Sequence, residues 1–306
     1  MMHAALTHTV LTHTALTPFA SDLALPGLLA LFTGALGLAV GSFLNVVVWR
    51  LPRGGSLVSP PSACPGCESR IRARDNVPVA SWMLLKGRCR DCRTPISPRY
   101  PLVEGATAVA FAGVFLVLWA RTASGPLDPA MFSLSSVPAA VALLPALLYL
   151  AAISIALTLI DLDTHTLPNR LVLPAYPVSL VLLAIASTLD PRGLGALPGA
   201  LIGAAALFTF YLLLALAYPR GMGLGDVKLA GVLGLYLGWF GWSELVVGAF
   251  AAFVLGGCCA LTLLLQKKAN RASGIPFGPW MLLGSWVGIL AGPTIAGGYL
   301  TLVGFG

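Results

Sequence analysis

The sequence predicts an all-α polytopic membrane protein with about eight transmembrane helices and a small cytoplasmic zinc-binding insertion between helices 1 and 2. Three observations predict this class. Of the 306 residues, 58% are hydrophobic and 9% are charged, whereas soluble domains have about 25% charged residues. Apolar runs long enough to cross a bilayer recur along the chain. The one long polar segment contains two pairs of closely spaced cysteines.

Eight apolar runs are candidate transmembrane helices, and seven is the alternative number. A helix needs about 20 apolar residues to cross the hydrocarbon core, so the short run 228–241 is either tilted or partly re-entrant. The last run contains Gly292-Pro293 and is a candidate for a broken helix. The eight runs are 25–48, 103–120, 138–160, 171–188, 194–217, 228–241, 244–265 and 279–303.

These runs divide the chain into four parts. We expect a flexible N-terminal tail over residues 1–24 and a first transmembrane helix over 25–49. The polar insertion follows over 50–100, and a membrane-embedded domain occupies 101–306.

The Lys and Arg residues concentrate on one side of the predicted membrane domain. The segment 50–99 holds ten of the 18, and with eight spans the loops near 161–170, 218–228 and 266–278 lie on the same side. That side then carries 16 of the 18, which makes it cytoplasmic by the positive-inside rule. The net charge of +7 therefore follows from topology and requires no nucleic-acid partner. The basic rim suits anionic membrane lipids, or an acidic segment of a protein substrate.

Four cysteines of the polar insertion have the spacing of a zinc site. They form Cys64-x2-Cys67 and, 21 residues further on, Cys89-x2-Cys92. Each C-x2-C turn directs two sulfurs at one point, which suits tetrahedral Zn²⁺. Two disulfides are the alternative, and the cytoplasmic placement disfavours them. Four protein ligands leave no open position, so we expect a structural zinc that stabilises a segment with little core of its own.

Acidic residues in or beside membrane spans are costly, which makes them candidates for function. An apolar run leads directly into Asp161 and Asp163, although a negative charge at a helix C-terminus is electrostatically unfavourable. Asp226 follows Gly223 and Gly225, and glycines permit the close approach of another chain segment. Asp161 and Asp226 are therefore a candidate pair at the cytoplasmic membrane surface.

Two carboxylates that share a proton can hydrolyse a peptide bond. The ionised one takes a proton from water, and the protonated one donates to the scissile carbonyl or the leaving amine. A transporter that uses the acids as a proton relay is the alternative. Transporters place such groups near the bilayer midplane, whereas these aspartates lie at predicted span ends, which favours the hydrolase.

Five stretches between residues 41 and 279 resemble a known family when they are taken in order. They are GSFLNVVVWRLP (41–52), the paired C-x2-C knuckles, IDLDTHTLPNRL (160–171), GMGLGDVKL (221–229) and PFGP (276–279). Together they resemble the prepilin peptidases, the leader peptidases and N-methyltransferases of type IV pilus and type II secretion systems. The resemblance implies a GxGD-type membrane aspartic peptidase of the bacterial inner membrane, with its active site facing the cytoplasm.

The resemblance also implies roles for particular residues. The family's catalytic pair is an Asp seven residues before the LP proline and the Asp of GxGD, which are Asp161 and Asp226 here. Asp163 is then a neighbour and not a catalyst. Lys228 is either a partner for a carboxylate or a plain cytoplasmic anchor. The residues predicted to support the pair are Gly223, Gly225 and Lys228.

The implied substrates are prepilins or pseudopilins, whose basic leader lies on the cytoplasmic side and whose hydrophobic helix lies in the membrane. The family then methylates the new N-terminal amine with S-adenosylmethionine, a role that falls to the 41–52 stretch and the insertion. Asn45 and Arg50 are candidates for binding this cofactor, and a helix-packing amide and a membrane anchor are their alternative roles. A peptidase without methylation and a non-enzymatic secretion-assembly protein are the other functions considered.

Overall fold

The computed structural model describes residues 17–123, 137–190, 192–218, 221–267 and 276–304. These residues form eight long helices and one short one, α2, so the predicted all-α class is confirmed. The helices are α1 (Thr17–Arg50), α2 (Ala80–Leu84), α3 (Arg99–Ala123), α4 (Val137–Thr164), α5 (Asn169–Leu189), α6 (Ala196–Ala217), α7 (Leu224–Phe240), α8 (Trp242–Leu265) and α9 (Gly278–Leu302). Three basic residues assigned to the cytoplasmic side lie outside the described residues: Arg220, Lys268 and Arg271.

Each of the eight predicted spans corresponds to a helix. Seven helices of the described chain are long and apolar enough to cross a membrane, and α7 is a shorter eighth. The last helix, α9, runs through Pro293 as one helix, so it is not broken there. α1 already begins at Thr17, within the expected tail 1–24, and residues 1–16 lie outside the described residues.

The short helix α7 lies in the interior of the bundle. Its 17 residues span about 25 Å, less than a hydrocarbon core of about 30 Å. Helices α5, α6, α8 and α9 pack against it, and Tyr236 donates a 3.1 Å hydrogen bond to the carbonyl oxygen of Ala146 in α4. From Val227 to Phe240 nearly every α7 residue is buried. A helix surrounded by protein does not need the full length of a lipid-facing span.

Glycines bring the backbones of neighbouring helices together. A Cβ on Gly203 of α6 would lie 2.5 Å from the carbonyl oxygen of Gly234 in α7. A Cβ on Gly284 of α9 would lie 2.6 Å from the carbonyl oxygen of Gly248 in α8. Small residues at such contacts favour helix association in a bilayer, where hydrophobic burial does not drive it. These two pairings hold the helices whose first turns carry Asp226 and Gly278.

The insertion between α1 and α3 contains two knuckles with the same backbone pattern. In the first, the amide of Cys64 donates to the carbonyl of Ser69 at 3.0 Å, and in the second, Cys89 donates to Thr94 at 2.9 Å. Both knuckles thus fold their C-x2-C turn back on the chain. An isolated antiparallel bridge closes each one, joining Ala63 with Arg70 and Arg88 with Pro95.

An ion pair ties the second knuckle to the chain between the two. Arg90 donates three hydrogen bonds to the Asp75 carboxylate, with lengths of 2.6 to 3.0 Å. These bonds lower the pKa of Asp75 and raise the pKa of Arg90. The ionised pair therefore stabilises the insertion at neutral pH and loses this contribution in acid.

Candidate active site and metal centre

Asp161 lies in the last turn of α4, and its side chain is buried. Its Oδ2 accepts a 3.1 Å hydrogen bond from the backbone amide of Gly278, the first residue of α9. A Cβ on Gly278 would lie 2.7 Å from this same oxygen. Glycine therefore lets the start of α9 approach the carboxylate closely enough to bind it.

Asp226 lies in the first turn of α7 and is half-buried. Its Oδ2 accepts a 3.1 Å hydrogen bond from the backbone amide of Gly223, which precedes the helix. The positive end of the helix dipole favours a carboxylate at this position. The glycine-rich stretch before α7 thus ends in a cap that fixes the orientation of Asp226.

Leu167 packs between the chain segments that carry or bind these two carboxylates. A Cβ on Gly225, the residue before Asp226, would lie 3.0 Å from the Leu167 Cβ. A Cβ on Gly278, which binds Asp161, would lie 3.4 Å from the Leu167 Cδ2. Asp161 and Asp226 are also close enough to interact electrostatically. The structure therefore places the predicted pair in one site at the ends of α4 and α7.

Asp163 has a different environment from Asp161, although it lies only two residues further on. Its two oxygens accept hydrogen bonds of 3.0 and 2.6 Å from the guanidinium of Arg99, the first residue of α3. Both side chains of this ion pair are about 40% exposed. Asp163 thus joins the end of α4 to the start of α3 and stands outside the Asp161–Asp226 pair.

Lys228 binds the start of α5. Its Nζ donates a 3.0 Å hydrogen bond to Oδ1 of Asn169, and its carbonyl oxygen accepts a 2.7 Å bond from the Tyr176 hydroxyl. Both partners belong to α5. These contacts fix the position of α7 against α5, a role that the sequence did not predict, and both predicted roles of Lys228 stay predictions.

Aromatic rings border the site on the side of α6, α8 and α9. The ring of Tyr211 stacks on Phe253 with centroids 5.6 Å apart, and Phe253 contacts Phe277 at 5.3 Å. Phe277 directly precedes Gly278, whose amide binds Asp161. Sequence reasoning missed Tyr211, which lies in a featureless apolar run. Leu167 and Gly278 were also given no role, although they lie in the stretches 160–171 and 276–279 that carry the family resemblance.

The four predicted metal ligands form one cluster. The sulfurs of Cys64, Cys67, Cys89 and Cys92 all lie within 4.8 Å of one another, and those of Cys64 and Cys92 are 3.7 Å apart. Metal–sulfur bonds of about 2.3 Å in a tetrahedron separate the sulfurs by about 3.8 Å. None of these four cysteines forms a disulfide, so the alternative of two disulfides is wrong. The cluster fits one tetrahedral metal ion.

The two candidate cofactor residues make contacts within the chain. The amide nitrogen of Asn45 donates a 3.2 Å hydrogen bond to the carbonyl oxygen of Tyr100, which links α1 to α3. Arg50 donates a 3.0 Å bond to the carbonyl oxygen of Ser56 and so shapes the first turn of the insertion. The helix-packing role of Asn45 is thereby seen directly. The membrane-anchor role of Arg50 and the cofactor binding of both residues stay predictions.

The fold and these sites define an α-helical polytopic membrane protein with two carboxylates close together at its helix ends and a separate four-cysteine cluster that could hold a metal ion. Comparison with known proteins gives the family. Residues 35–118 match the model described as the bacterial Peptidase A24 N-terminal domain, and residues 147–261 match the type IV leader peptidase family. The second match contains both Asp161 and Asp226.

Curated relatives match nearly the whole chain. The prepilin leader peptidase/N-methyltransferase of Aeromonas hydrophila is 33% identical over 90% of this chain and 96% of its own length. Proteins of the same name from Pseudomonas aeruginosa and Burkholderia pseudomallei strain K96243 are 34% and 35% identical. They cover 92% and 87% of this chain, and 96% and 87% of their own lengths. The comparison with solved structures gave no match. The chain belongs to the type IV leader peptidase family.

Proposed function

We propose that this chain is a membrane aspartic peptidase that cleaves the basic leader from type IV prepilins or pseudopilins and then N-methylates the new N-terminal residue. The observation that carries the proposal is that Leu167 packs against both Gly225, the neighbour of Asp226, and Gly278, whose amide binds Asp161. The names of the curated relatives support both activities. Membership of a peptidase family also disfavours the two alternative functions, a transporter and a non-enzymatic secretion-assembly protein.

The two carboxylates divide the work of hydrolysis. One is ionised and removes a proton from a water molecule, whose oxygen attacks the scissile carbonyl carbon. The other is protonated and delivers its proton to the leaving amine as the C–N bond breaks. Backbone amides hold Oδ2 of Asp161 and Oδ2 of Asp226, so in this proposal the two Oδ1 atoms face water and substrate.

The position of the pair suits a substrate that is half in the membrane. Asp161 and Asp226 lie at the ends of helices rather than at their centres. A prepilin with its hydrophobic helix in the bilayer presents its leader junction at that depth. The ten basic residues of the 50–99 segment support a cytoplasmic placement of this side in the bacterial inner membrane.

Methyl transfer belongs, in this proposal, to the insertion 50–100 together with the end of α1. S-adenosylmethionine supplies the methyl group to the new N-terminal amine. A structural zinc on the four cysteines holds the two knuckles together, because four thiolates leave no position for chemistry. Asn45 and Arg50 are the residues proposed to meet the cofactor, and both lie where the insertion joins the membrane helices.

The peptidase is tested with purified protein in detergent and a prepilin substrate. Asp161→Ala and Asp226→Ala should each abolish cleavage, while Asp163→Asn should cleave at a rate close to that of the wild type. Asp163 is the matched control because it is the same residue type as Asp161 and lies on the same helix end. Normal cleavage by either alanine variant would refute the assignment.

The second activity is tested by supplying a pilin that is already cleaved. Wild-type protein with S-adenosylmethionine should add one methyl group, seen by mass spectrometry. Cys64→Ser combined with Cys92→Ser should lower the metal content from about one zinc per chain to none and should impair methylation. Unchanged zinc content in this variant would contradict the four-thiolate site. If the wild-type protein does not methylate the cleaved pilin, the function is that of a peptidase without methylation.

A further inference from the structure

The insertion exposes an apolar patch that its own fold does not cover. Met83 and Leu84, at the end of α2, are 65% and 83% exposed, and Val77 before the helix is 50% exposed. Trp82 faces the other way, and its indole donates a 3.1 Å hydrogen bond to the carbonyl oxygen of Ile96. Single exposed apolar residues are ordinary. Two adjacent large ones on a helix outside the membrane spans form an apolar patch, and such patches are found where a protein contacts a membrane or another protein.

A buried carboxylate sets the depth of this helix. Glu104 of α3 is buried, and its Oε2 accepts a 2.6 Å hydrogen bond from the backbone amide of Val79, the residue before α2. On its other side Glu104 packs against α1, where a Cβ on Gly41 would lie 2.7 Å from the Glu104 Cα. The chain before α2 therefore folds back along the membrane helices and does not extend away from them.

The level of Glu104 relative to the bilayer follows from helix lengths. The apolar span Arg99–Thr122 has 24 residues, about 36 Å at 1.5 Å per residue. A hydrocarbon core of about 30 Å centred on it leaves about 3 Å of helix outside at each end. Glu104 lies five residues from the start, so it is about 4 to 5 Å inside the core boundary. Because Val79 is bonded to Glu104, α2 begins within about 5 Å of the boundary between acyl chains and headgroups.

The charge around α2 matches an anionic lipid surface. Lys86 and Arg88, which follow the helix directly, are both exposed. The whole 50–99 segment has ten basic and three acidic residues. Exposed basic residues next to an apolar helix face are the pattern of a membrane-surface anchor, and each is attracted to anionic headgroups. The same excess of positive charge repels a basic peptide, which disfavours the substrate's leader as the occupant.

We propose that α2 is an interfacial anchor, with Met83 and Leu84 inserted among the acyl chains next to the headgroups. Lys86 and Arg88 contact anionic phospholipid headgroups beside them. The anchor holds the metal-binding insertion flat against the bilayer surface, on the side where α4 and α7 present their carboxylates. This surface is separate from the peptidase site and does not depend on the proposed function.

Photo-crosslinking of the full-length protein tests this placement. p-Benzoylphenylalanine replaces Leu84 in one variant and Val58 in another, each in nanodiscs of phosphatidylethanolamine and phosphatidylglycerol. Val58 is the matched control because it is also apolar and is 91% exposed, but it should lie further from the acyl chains. It comes two residues after Ser56, whose carbonyl binds Arg50 at the C-terminal end of α1. Arg50 lies nine residues, or about 13 Å, beyond Gly41. Intact mass spectrometry should show a phospholipid adduct several-fold more abundant at position 84 than at 58. Equal adducts at both positions, or an adduct with added prepilin or with a second copy in place of lipid, would overturn the proposal.

Trypsin protection gives a second test that needs no activity. Cleavage after Lys86 and Arg88 should be several-fold slower in nanodiscs with phosphatidylglycerol than in nanodiscs of phosphatidylcholine alone. Leu84→Glu should remove this protection, and Leu84→Met should keep it. Metal content, measured in each variant, shows that the insertion is still folded. Equal cleavage rates in the two lipids for the folded wild type would contradict the anchor.

Discussion

Replacing Gly278 by alanine adds one methyl group at the centre of the proposed catalytic site. The new Cβ would lie 2.7 Å from Oδ2 of Asp161, whereas ordinary contact begins at 3.4 Å. The carboxylate must therefore move by about 0.7 Å or the start of α9 must retreat by the same distance. Either movement lengthens the 3.1 Å hydrogen bond between the Gly278 amide and Asp161.

This displacement should slow the reaction and destabilise the fold by similar free energies. A misplacement of about 1 Å in a catalytic group can reduce the rate by about 10²-fold. We therefore expect kcat/KM for prepilin cleavage to fall by about 10- to 100-fold, or about 1.4 to 2.8 kcal/mol in transition-state stabilisation. Overpacking by one methyl group destabilises the folded protein by about 1 to 3 kcal/mol, so the variant should still be recovered folded.

The assay compares initial rates of prepilin cleavage for wild type, Gly278→Ala and a matched glycine variant, Gly113→Ala. Gly113 lies in α3 and a Cβ there would meet nothing within 4 Å, so this control should cleave at the wild-type rate. Gly225→Ala, where a Cβ would lie 3.0 Å from Leu167, should have an intermediate rate. Wild-type cleavage by Gly278→Ala would refute the placement of Asp161 beside α9 in the active state.

Three further predictions follow from the contacts described above. Arg99→Ala should slow cleavage only a few-fold, because an exposed ion pair such as Arg99–Asp163 contributes about 0 to 1 kcal/mol. A loss of activity as large as that of Asp161→Ala would contradict this prediction. Gly234→Val should force α7 away from α6 and lower the melting temperature in detergent, and an unchanged melting temperature would contradict the close approach. Asp75→Asn should destabilise the insertion at pH 7, measured by hydrogen exchange, because Arg90 lowers the folded-state pKa of Asp75. The difference in stability between Asp75→Asn and the wild type should shrink as the pH falls below about 4. A difference that grows in acid would contradict this prediction.

Much of the fold was predictable because hydrophobic length alone specifies membrane helices. All eight runs are helices, and the doubtful one, α7, is short because protein surrounds it. Sequence hydropathy does not say which faces of a helix meet lipid, so it left α7 as either tilted or re-entrant. The possible break at Gly292-Pro293 did not occur, since a membrane helix can accommodate proline when its neighbours satisfy the backbone.

The site was predictable at its chemically unusual residues and unpredictable at its packing residues. Costly acids at span ends and the cysteine spacing stand out from an apolar sequence, and the structure brings each group together. Leu167, Gly278 and Tyr211 are ordinary residue types in a membrane protein. Their roles come from contacts between segments far apart in the chain, which local spacing does not encode. The same holds for Arg99, whose bonding to Asp163 joins residues 64 positions apart.

The central claim is that Asp161 and Asp226 act as one catalytic unit, and a double-mutant cycle tests it most directly. Single-turnover cleavage of a prepilin would be measured over long times for Asp161→Asn, Asp226→Asn and the double variant. Residues that act as a unit have non-additive effects, so each single variant should be as slow as the double one. A double variant slower than either single by the product of their separate losses would show that the two carboxylates act independently, and would contradict the account.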